Sequence, residues 1–214
     1  QGIRSPALIV VGKVCALSSD FDWFSLLPLK GRRILVTRPA ASSGKLAASL
    51  RELGAQVTAL PAIETRPVPF SLPELGKFTH LVFTSAPGVR AFFQGLWAAG
   101  KDGRSLFGLR LLAVGKETAA ALEERGLRAD FVPSVFTGEQ LAREALESGE
   151  IGQESRPLWL CAKEPSPDLP EIWAAAGVEL TRLAVYETVH PAFPEIRPED
   201  FDLVTFTSKS CVEG

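Results

Sequence analysis

The chain has 214 residues, of which 46% are hydrophobic and 22% are charged, and its formal net charge is −2. This balance is ordinary for a globular domain, and it provides no broad basic field for nucleic acid or an anionic membrane surface. The longest apolar run, residues 7–17, is interrupted by Lys13 and is too short to cross a bilayer. We therefore predict neither a nucleic-acid partner nor a membrane partner.

The cysteines and histidines do not follow the spacing of a disulfide framework or a metal site. Cys15, Cys161 and Cys211 lie far apart in apolar segments, so we predict reduced core thiols in a cytoplasmic protein. His80 and His190 stand isolated, without ligand spacing to cysteines or acids, and no metal is predicted.

Residues 1–29 differ from the rest of the chain. Residues 5–14 are predicted to form a strand, and the aromatic residues Phe21, Trp23 and Phe24 follow it. Residues 28–31 have the composition of a linker. We interpret this part as an N-terminal extension or as the end of a preceding domain.

Beyond residue 31, short apolar strands alternate with amphipathic helices. The predicted strands are residues 33–37, 57–68, 81–83, 110–114, 130–132, 158–161 and 178–190. The predicted helices start at Ser42 or Ser43, Pro87, Ala119, Thr137 and Asp168. Alternation at these lengths is typical of βα units, so the predicted class is α/β with parallel sheets.

Two stretches of sequence recur at one offset of 123 residues. Residues 54–65 align without gaps on residues 177–188, and residues 78–85 align on residues 201–208. Two matches at one offset indicate an internal duplication of domain size. A second copy as long as the first would need about sixty residues after Gly214, so we expect the chain to be a fragment.

The duplication predicts how the domains are connected. Each long strand is expected to leave one domain and enter the other, and Pro61 and Pro67 exclude the first long strand from a sheet centre. We predict an incomplete split domain, formed by residues 31–56 and 191–214, and an inserted domain, formed by residues 69–180. The two hinge strands are residues 57–68 and 181–190. A ligand site is expected in the cleft between the domains.

The candidate binding residues lie at turns between a strand and a helix. Thr84 and Ser85 follow one predicted strand, and the duplication repeats them as Thr207 and Ser208. Free N–H groups, the helix dipole and two hydroxyls are expected to converge at such a turn and to bind carboxylates or phosphates. The turn from Gly115 to Thr118 is similar. Simple N-capping is the alternative at each turn, and the repetition in both copies favours an anion site.

Two further side chains are candidates for chemistry. Tyr186, the only tyrosine, lies in the second long strand, where it can act as a general acid or simply pack. Arg38 follows the first strand, where it can pair with a carboxylate or remain a solvated surface residue. Residues 41–45 lack the leading glycine and the final hydroxyl of a phosphate loop, and no dinucleotide-binding glycine motif follows a strand. No cofactor is therefore predicted.

Five segments of the chain occur in the order typical of one family: residues 33–39, 53–65, 83–85, 114–119 and 183–188. Together they make residues 31–214 resemble uroporphyrinogen-III synthase. Residues 3–24 are similar to the C-terminal tail of a uroporphyrinogen-III C-methyltransferase. The resemblance implies a fused polypeptide with two flavodoxin-like parallel-sheet domains, joined by a two-stranded hinge and with the second copy truncated.

The resemblance also implies an activity. The family closes the linear tetrapyrrole hydroxymethylbilane, inverts its last ring and releases water, without a metal or a cofactor. On this basis Tyr186 is the acid for loss of the hydroxyl, and Thr84, Ser85, Thr118 and Ser208 hold carboxylates. The synthase module is expected to be monomeric and to pass its product to the methyltransferase, and this fragment is expected to be inactive. A non-catalytic two-domain binding protein and a nucleotide-binding regulator are the alternatives.

Overall fold

The computed structural model describes residues 10–17, 20–192, 194–206 and 211–212. The described residues group into two compact units. One unit combines the chain up to Glu64 with the chain from His190 onward, and the other is Thr65–Val189. Among the described residues, no helix is long and apolar enough to span a membrane.

The first unit contains a parallel sheet of three strands, numbered here in chain order. Strands β1 (Arg33–Val36), β2 (Gln56–Ala59) and β8 (Leu203–Thr205) lie in the order β2-β1-β8. Helix α1 (Ala40–Glu52) connects β1 to β2. Ile34 and Val36 form a small core with apolar residues of the helix and of β2.

Helix α1 begins earlier than predicted. It starts directly after Pro39, whose φ is −48°, so Ser42 and Ser43 lie within the first turn and not at the N-cap position. The fixed φ of the proline directs the chain into the helix without a serine cap. The helix ends before Gly54, whose φ of 94° is one that glycine adopts readily.

The first long predicted strand is broken in the structure. Strand β2 ends at Ala59, and β3 (Glu64–Pro67) begins only after four intervening residues that include Pro61. The aligned position in the second copy is Ala184, and there the continuous nine-residue strand β7 (Thr181–Val189) forms. Proline has no N–H to donate to a strand ladder, so the two copies of one sequence pattern fold differently.

The second unit is built on a five-stranded sheet that adds β4 (His80–Phe83), β5 (Arg110–Ala113) and β6 (Pro157–Ala162) to β3 and β7. The strand order is β3-β7-β6-β4-β5, and the strands from β7 to β5 are parallel. Strand β3 lies at an edge, where Pro67 does not interrupt a ladder on both sides. The parallel sheet confirms the predicted α/β class.

Four helices cover the two faces of this sheet. Helices α2 (Ala86–Ala98) and α3 (Lys116–Glu123) pack on one face, and α4 (Gly138–Glu147) and α5 (Asp168–Ala175) pack on the other. Successive strand residues point to opposite faces. Phe83 therefore joins the core under α2, whereas Val82 joins the core under α4 and α5.

Three smaller predictions are wrong. The strand predicted at residues 130–132 is a single bridge between Phe131 and Leu112. Of the strand predicted at residues 5–14, residues 5–9 lie outside the described part, and Lys13–Leu17 form a 3-10 helix. Cys15 is exposed on this short helix rather than buried, although Cys161 and Cys211 are buried as expected.

Candidate functional site

The topology of the five-stranded sheet indicates where a ligand would bind. Strand β4 lies between β5 and β6, so the chain leaves β4 toward one side and returns on the other. In open parallel sheets, ligands bind at the carboxyl ends of the strands where the connections diverge in this way. Thr84 and Ser85 directly follow β4 at this point.

Ser85 links the start of α2 to Tyr186. It is the N-cap of the helix, and its Oγ accepts a hydrogen bond from the N–H of Gly88 at 3.1 Å. The same hydroxyl donates to the phenolic oxygen of Tyr186 at 2.9 Å. The structure thus brings together two predicted site residues that are 101 positions apart in sequence.

Tyr186 is half-buried and packs against the core on the α2 face of the sheet. Burial raises the pKa of the phenol above its ordinary value, because the charged phenolate is poorly solvated there. The hydrogen bond from Ser85 acts in the opposite direction and lowers that pKa. The phenol is therefore a protonated donor at neutral pH.

Gly88 leaves room for the hydrogen-bonded pair of Ser85 and Tyr186. A Cβ atom at this position would lie 3.2 Å from the Leu160 carbonyl oxygen and 3.2 Å from Ser85 Oγ. Both distances are tighter than ordinary van der Waals contact. The spatial neighbours of a glycine are not visible in sequence, so no local signal could have found this residue.

Thr84 points to the opposite face of the sheet from Ser85. Its Oγ1 accepts a hydrogen bond from the indole N–H of Trp159 at 3.1 Å. It also lines a cavity of about 230 Å³ that Phe136, Trp159 and Asp168 help to form. The expectation that the hydroxyls of Thr84 and Ser85 converge is therefore wrong, because neighbouring side chains along an extended chain point in opposite directions.

The turn at Gly115 is a tightly packed helix start. Gly115 is the N-cap of α3, and a Cβ there would lie 2.9 Å from Cβ of Phe136. The ammonium of Lys116 lies 5.8 Å from the centre of the same ring. Thr118, in the first turn of the helix, is only 3% exposed. Carboxylate binding by Gly115 and Thr118 stays a prediction.

The remaining predicted binding residues belong to the first unit. Arg38 follows β1 and is half-buried, while Thr207 and Ser208 lie outside the described residues. At the end of β1, the hydroxyl of Thr37 donates to the Thr205 carbonyl at 2.7 Å. The roles of Arg38, Thr207 and Ser208 stay predictions.

His80 has no metal-ligand spacing in the sequence, but in the structure it contacts a hydroxyl and a carboxylate. It lies at the amino end of β4, at the opposite sheet edge from Ser85, and is 6% exposed. Its Nδ1 is 2.7 Å from the Thr79 hydroxyl, and its Nε2 is 3.6 Å from a Glu150 carboxylate oxygen. Arg110 also donates to Glu150. Within the described ranges, no group of three or more His, Cys, Asp or Glu residues could hold a metal ion.

These features define an α/β protein with a serine–tyrosine pair at the carboxyl edge of its larger parallel sheet. The family model described as "Uroporphyrinogen-III synthase HemD" matches residues 44–214. The chain belongs to the uroporphyrinogen-III synthase family, as the sequence motifs predicted.

Three curated proteins are similar to the chain. "Porphyrin biosynthesis protein HemD" of Ruminiclostridium josui is 37% identical over 99% of this chain and 44% of that protein. The chain thus spans less than half the length of this relative. "Uroporphyrinogen-III synthase" of Chlorobaculum parvum is 29% identical over 86% of this chain and 77% of that protein. "Uroporphyrinogen-III C-methyltransferase" of Bacillus subtilis is 32% identical over 58% of this chain and 26% of that protein.

Two solved structures share the fold. The uroporphyrinogen-III synthetase of Helicobacter pylori superposes with a TM-score of 0.56 at 20% identity, covering 85% of this chain and 76% of that one. A mutant uroporphyrinogen III synthase of Thermus thermophilus gives 0.55 at 21% identity, covering 75% of this chain and 64% of that one. At these identities, the likeness supports the α/β architecture alone.

Proposed function

We propose that this chain carries uroporphyrinogen-III synthase activity and acts on hydroxymethylbilane. The reaction closes the linear tetrapyrrole, inverts its last ring and releases water. Within a chain of this family, the observation that carries the proposal is the phenol of Tyr186, which Ser85 holds at 2.9 Å at the carboxyl edge of the larger sheet.

Tyr186 is the proposed general acid. Ser85 donates its hydrogen to the phenolic oxygen, which leaves the phenolic hydrogen to point toward a substrate. Transfer of that proton to the substrate hydroxyl breaks the carbon–oxygen bond, and water leaves. The azafulvenium cation that remains is then attacked by the last pyrrole ring, and a spiro intermediate accounts for the inversion. The proton released when the macrocycle closes returns to the Tyr186 phenolate. Proton transfer by a positioned side chain contributes about 10²–10⁴-fold to rate in enzymes.

The proposed substrate is a polycarboxylate, and helix starts are suited to bind it. Helices α2 and α3 both begin at the carboxyl edge, where free N–H groups and the helix dipole favour anions. We assign carboxylate binding to Thr84, Gly115 and Thr118, and to Arg38, Thr207 and Ser208 of the split domain. In this proposal the two units correspond to flavodoxin-like domains.

Incubation with hydroxymethylbilane tests the activity, with the type III product scored against the type I isomer that forms without inversion. Tyr186→Phe keeps the ring and removes the acid, so we expect ring closure to slow by at least about tenfold. An unchanged rate would make Tyr186 a packing residue. The second candidate, a non-catalytic binding protein, would bind the tetrapyrrole without increasing the type III product.

We also propose that residues 1–29 are the tail of a methyltransferase domain in a bifunctional polypeptide, to which the synthase passes its product. A protein named uroporphyrinogen-III C-methyltransferase matches 58% of the chain, which supports a link between the two activities in one polypeptide. Large apolar side chains from residue 10 to residue 26 are exposed, and such surfaces usually pack against another domain. Val11 and Leu26 are the most exposed of them. Sequencing of the gene upstream of residue 1 tests the proposal, which fails if no methyltransferase is encoded there.

A further inference from the structure

We propose that Ser85 is a positioning residue for Tyr186 and not a ligand of a substrate carboxylate. The proposal rests on the proposed function, because it assigns Ser85 to the acid of that reaction. It also replaces the role that the motif resemblance gives to this serine, since the resemblance treats Thr84 and Ser85 alike.

The hydrogen bonds of Ser85 carry the proposal. Its hydroxyl oxygen receives the N–H of Gly88, and its hydrogen goes to the phenolic oxygen of Tyr186. A hydroxyl has one hydrogen to donate, so Ser85 has none left for a carboxylate while this bond exists. Thr84 is different, because its oxygen accepts from Trp159 and its hydrogen has no acceptor among the described residues.

The same bonds define where the phenol points. Ser85 is held at the first turn of the thirteen-residue helix α2, and Tyr186 is held in β7 between two neighbouring strands. The hydrogen bond from the Gly88 N–H holds Ser85 Oγ at the start of the helix. Ser85 therefore directs the phenolic oxygen, and its donated hydrogen stabilises the phenolate that forms when the proton leaves.

The unique tyrosine permits a direct test on the 214-residue chain. NMR titration of tyrosine labelled at Cζ reports the phenol of Tyr186 alone. We expect Ser85→Ala to raise its titration midpoint and Ser85→Thr to restore the wild-type midpoint. Thr137→Ala is the matched control, because Thr137 caps α4 with a bond of the same 3.1 Å length to the N–H of Gln140. It should leave the midpoint unchanged.

The thiol of Cys161, on the neighbouring strand β6, is a titratable group that raises the pKa of the Tyr186 phenol by charge repulsion. Burial raises the pKa of the Cys161 thiol, as it raises the pKa of the Tyr186 phenol. Repeating the titration in a Cys161→Ala background separates the two groups. A Ser85→Ala shift that persists there supports the proposal, and a shift that disappears overturns it.

Kinetics on the natural polypeptide test the catalytic part. We expect Ser85→Ala to lower kcat for ring closure about three- to tenfold, with little change in KM, because one hydrogen bond to the acid is lost. In a Tyr186→Phe background the same change should have almost no effect. A rise in KM at constant kcat would contradict the positioning role and indicate that Ser85 binds a substrate carboxylate. Independent effects of Ser85→Ala and Tyr186→Phe on the rate of the double variant would do the same.

The two proposals fail in different ways. A wild-type polypeptide that forms no type III product overturns the proposed function, whatever the titration shows. An active wild type whose tyrosine midpoint does not move in Ser85→Ala overturns the positioning role alone.

Discussion

Thr84 and Ser85 are adjacent hydroxyl residues with different surroundings. Ser85 bonds to Tyr186 on the α2 face, and Thr84 bonds to Trp159 on the opposite face. Residue type and position at a strand end were enough to identify both as candidates. Their partners come from β6 and β7, so the division of roles depends on which strands are neighbours.

His80 provides a prediction at the level of a single residue. Its pKa is lowered from 6.5, first by burial, while Glu150 opposes the shift and Arg110 adds to it. Because the unfolded chain binds a proton more readily at this site, we expect the free energy of unfolding to fall as the pH decreases below about 6.5. Above that pH, the neutral form of His80 makes its full contribution to the free energy of unfolding.

Urea unfolding at a series of pH values measures this dependence. His80→Asn keeps an acceptor near the Thr79 hydroxyl but cannot be protonated. The free energy of unfolding should therefore change less between neutral and mildly acidic pH in this variant than in the wild type. His190→Asn is the control, since His190 is exposed and lies in the first unit. An equal slope in wild type and His80→Asn would contradict the assignment.

At the level of elements, Pro61 shows how one residue changes a repeated pattern. Residues 54–65 and 177–188 align without gaps, yet the first breaks into β2 and β3 while the second forms β7 without interruption. The proline alone predicts that this strand is not central in a sheet. The pattern does not predict the break, because the β-branched and apolar residues on both sides of Pro61 favour a strand.

Gly115 gives a prediction for the start of α3. Its φ is −175°, an extended conformation open to any residue, so the constraint is space rather than backbone strain. A methyl group at 2.9 Å from Cβ and Cγ of Phe136 must displace the loop that leads into α4. We expect Gly115→Ala to lower the free energy of unfolding by about 1–3 kcal/mol, as overpacking does elsewhere.

Urea denaturation measures this loss, and Gly152→Ala serves as the control because nothing lies within 4 Å of a Cβ built there. If both alanine variants have the same stability as the wild type, Phe136 is free to move. The packing explanation for Gly115 would then be wrong.

At the level of the whole molecule, the second unit has its own hydrophobic cores, as an independent domain does. Among the residues that the structure describes, the two cores of its five-stranded sheet are made of residues between Phe70 and Tyr186. We expect a fragment of residues 64–189 to fold alone with one cooperative unfolding transition, because its apolar surface is buried internally. Circular dichroism during urea titration measures this, and a broad non-cooperative transition would contradict it.

The Cζ signal of Tyr186 offers a second measurement on the same fragment. Ser85, Gly88 and Tyr186 all lie within it, so its tyrosine should titrate as in the longer chain. A midpoint that falls to the ordinary value of a free phenol would show that the site needs more than the second unit.

The amino-acid sequence by itself determined the α/β class, the positions of most helices and strands, and the membership of a family. These follow from hydrophobic periodicity, turn residues and ordered motifs, which are local properties of the chain. The tertiary structure alone decided that Ser85 meets Tyr186, that Thr84 meets Trp159, and that His80 meets Glu150. Each of these contacts joins residues that are at least seventy positions apart in the sequence. They depend on strand order, and strand order is set by the packing of the whole sheet.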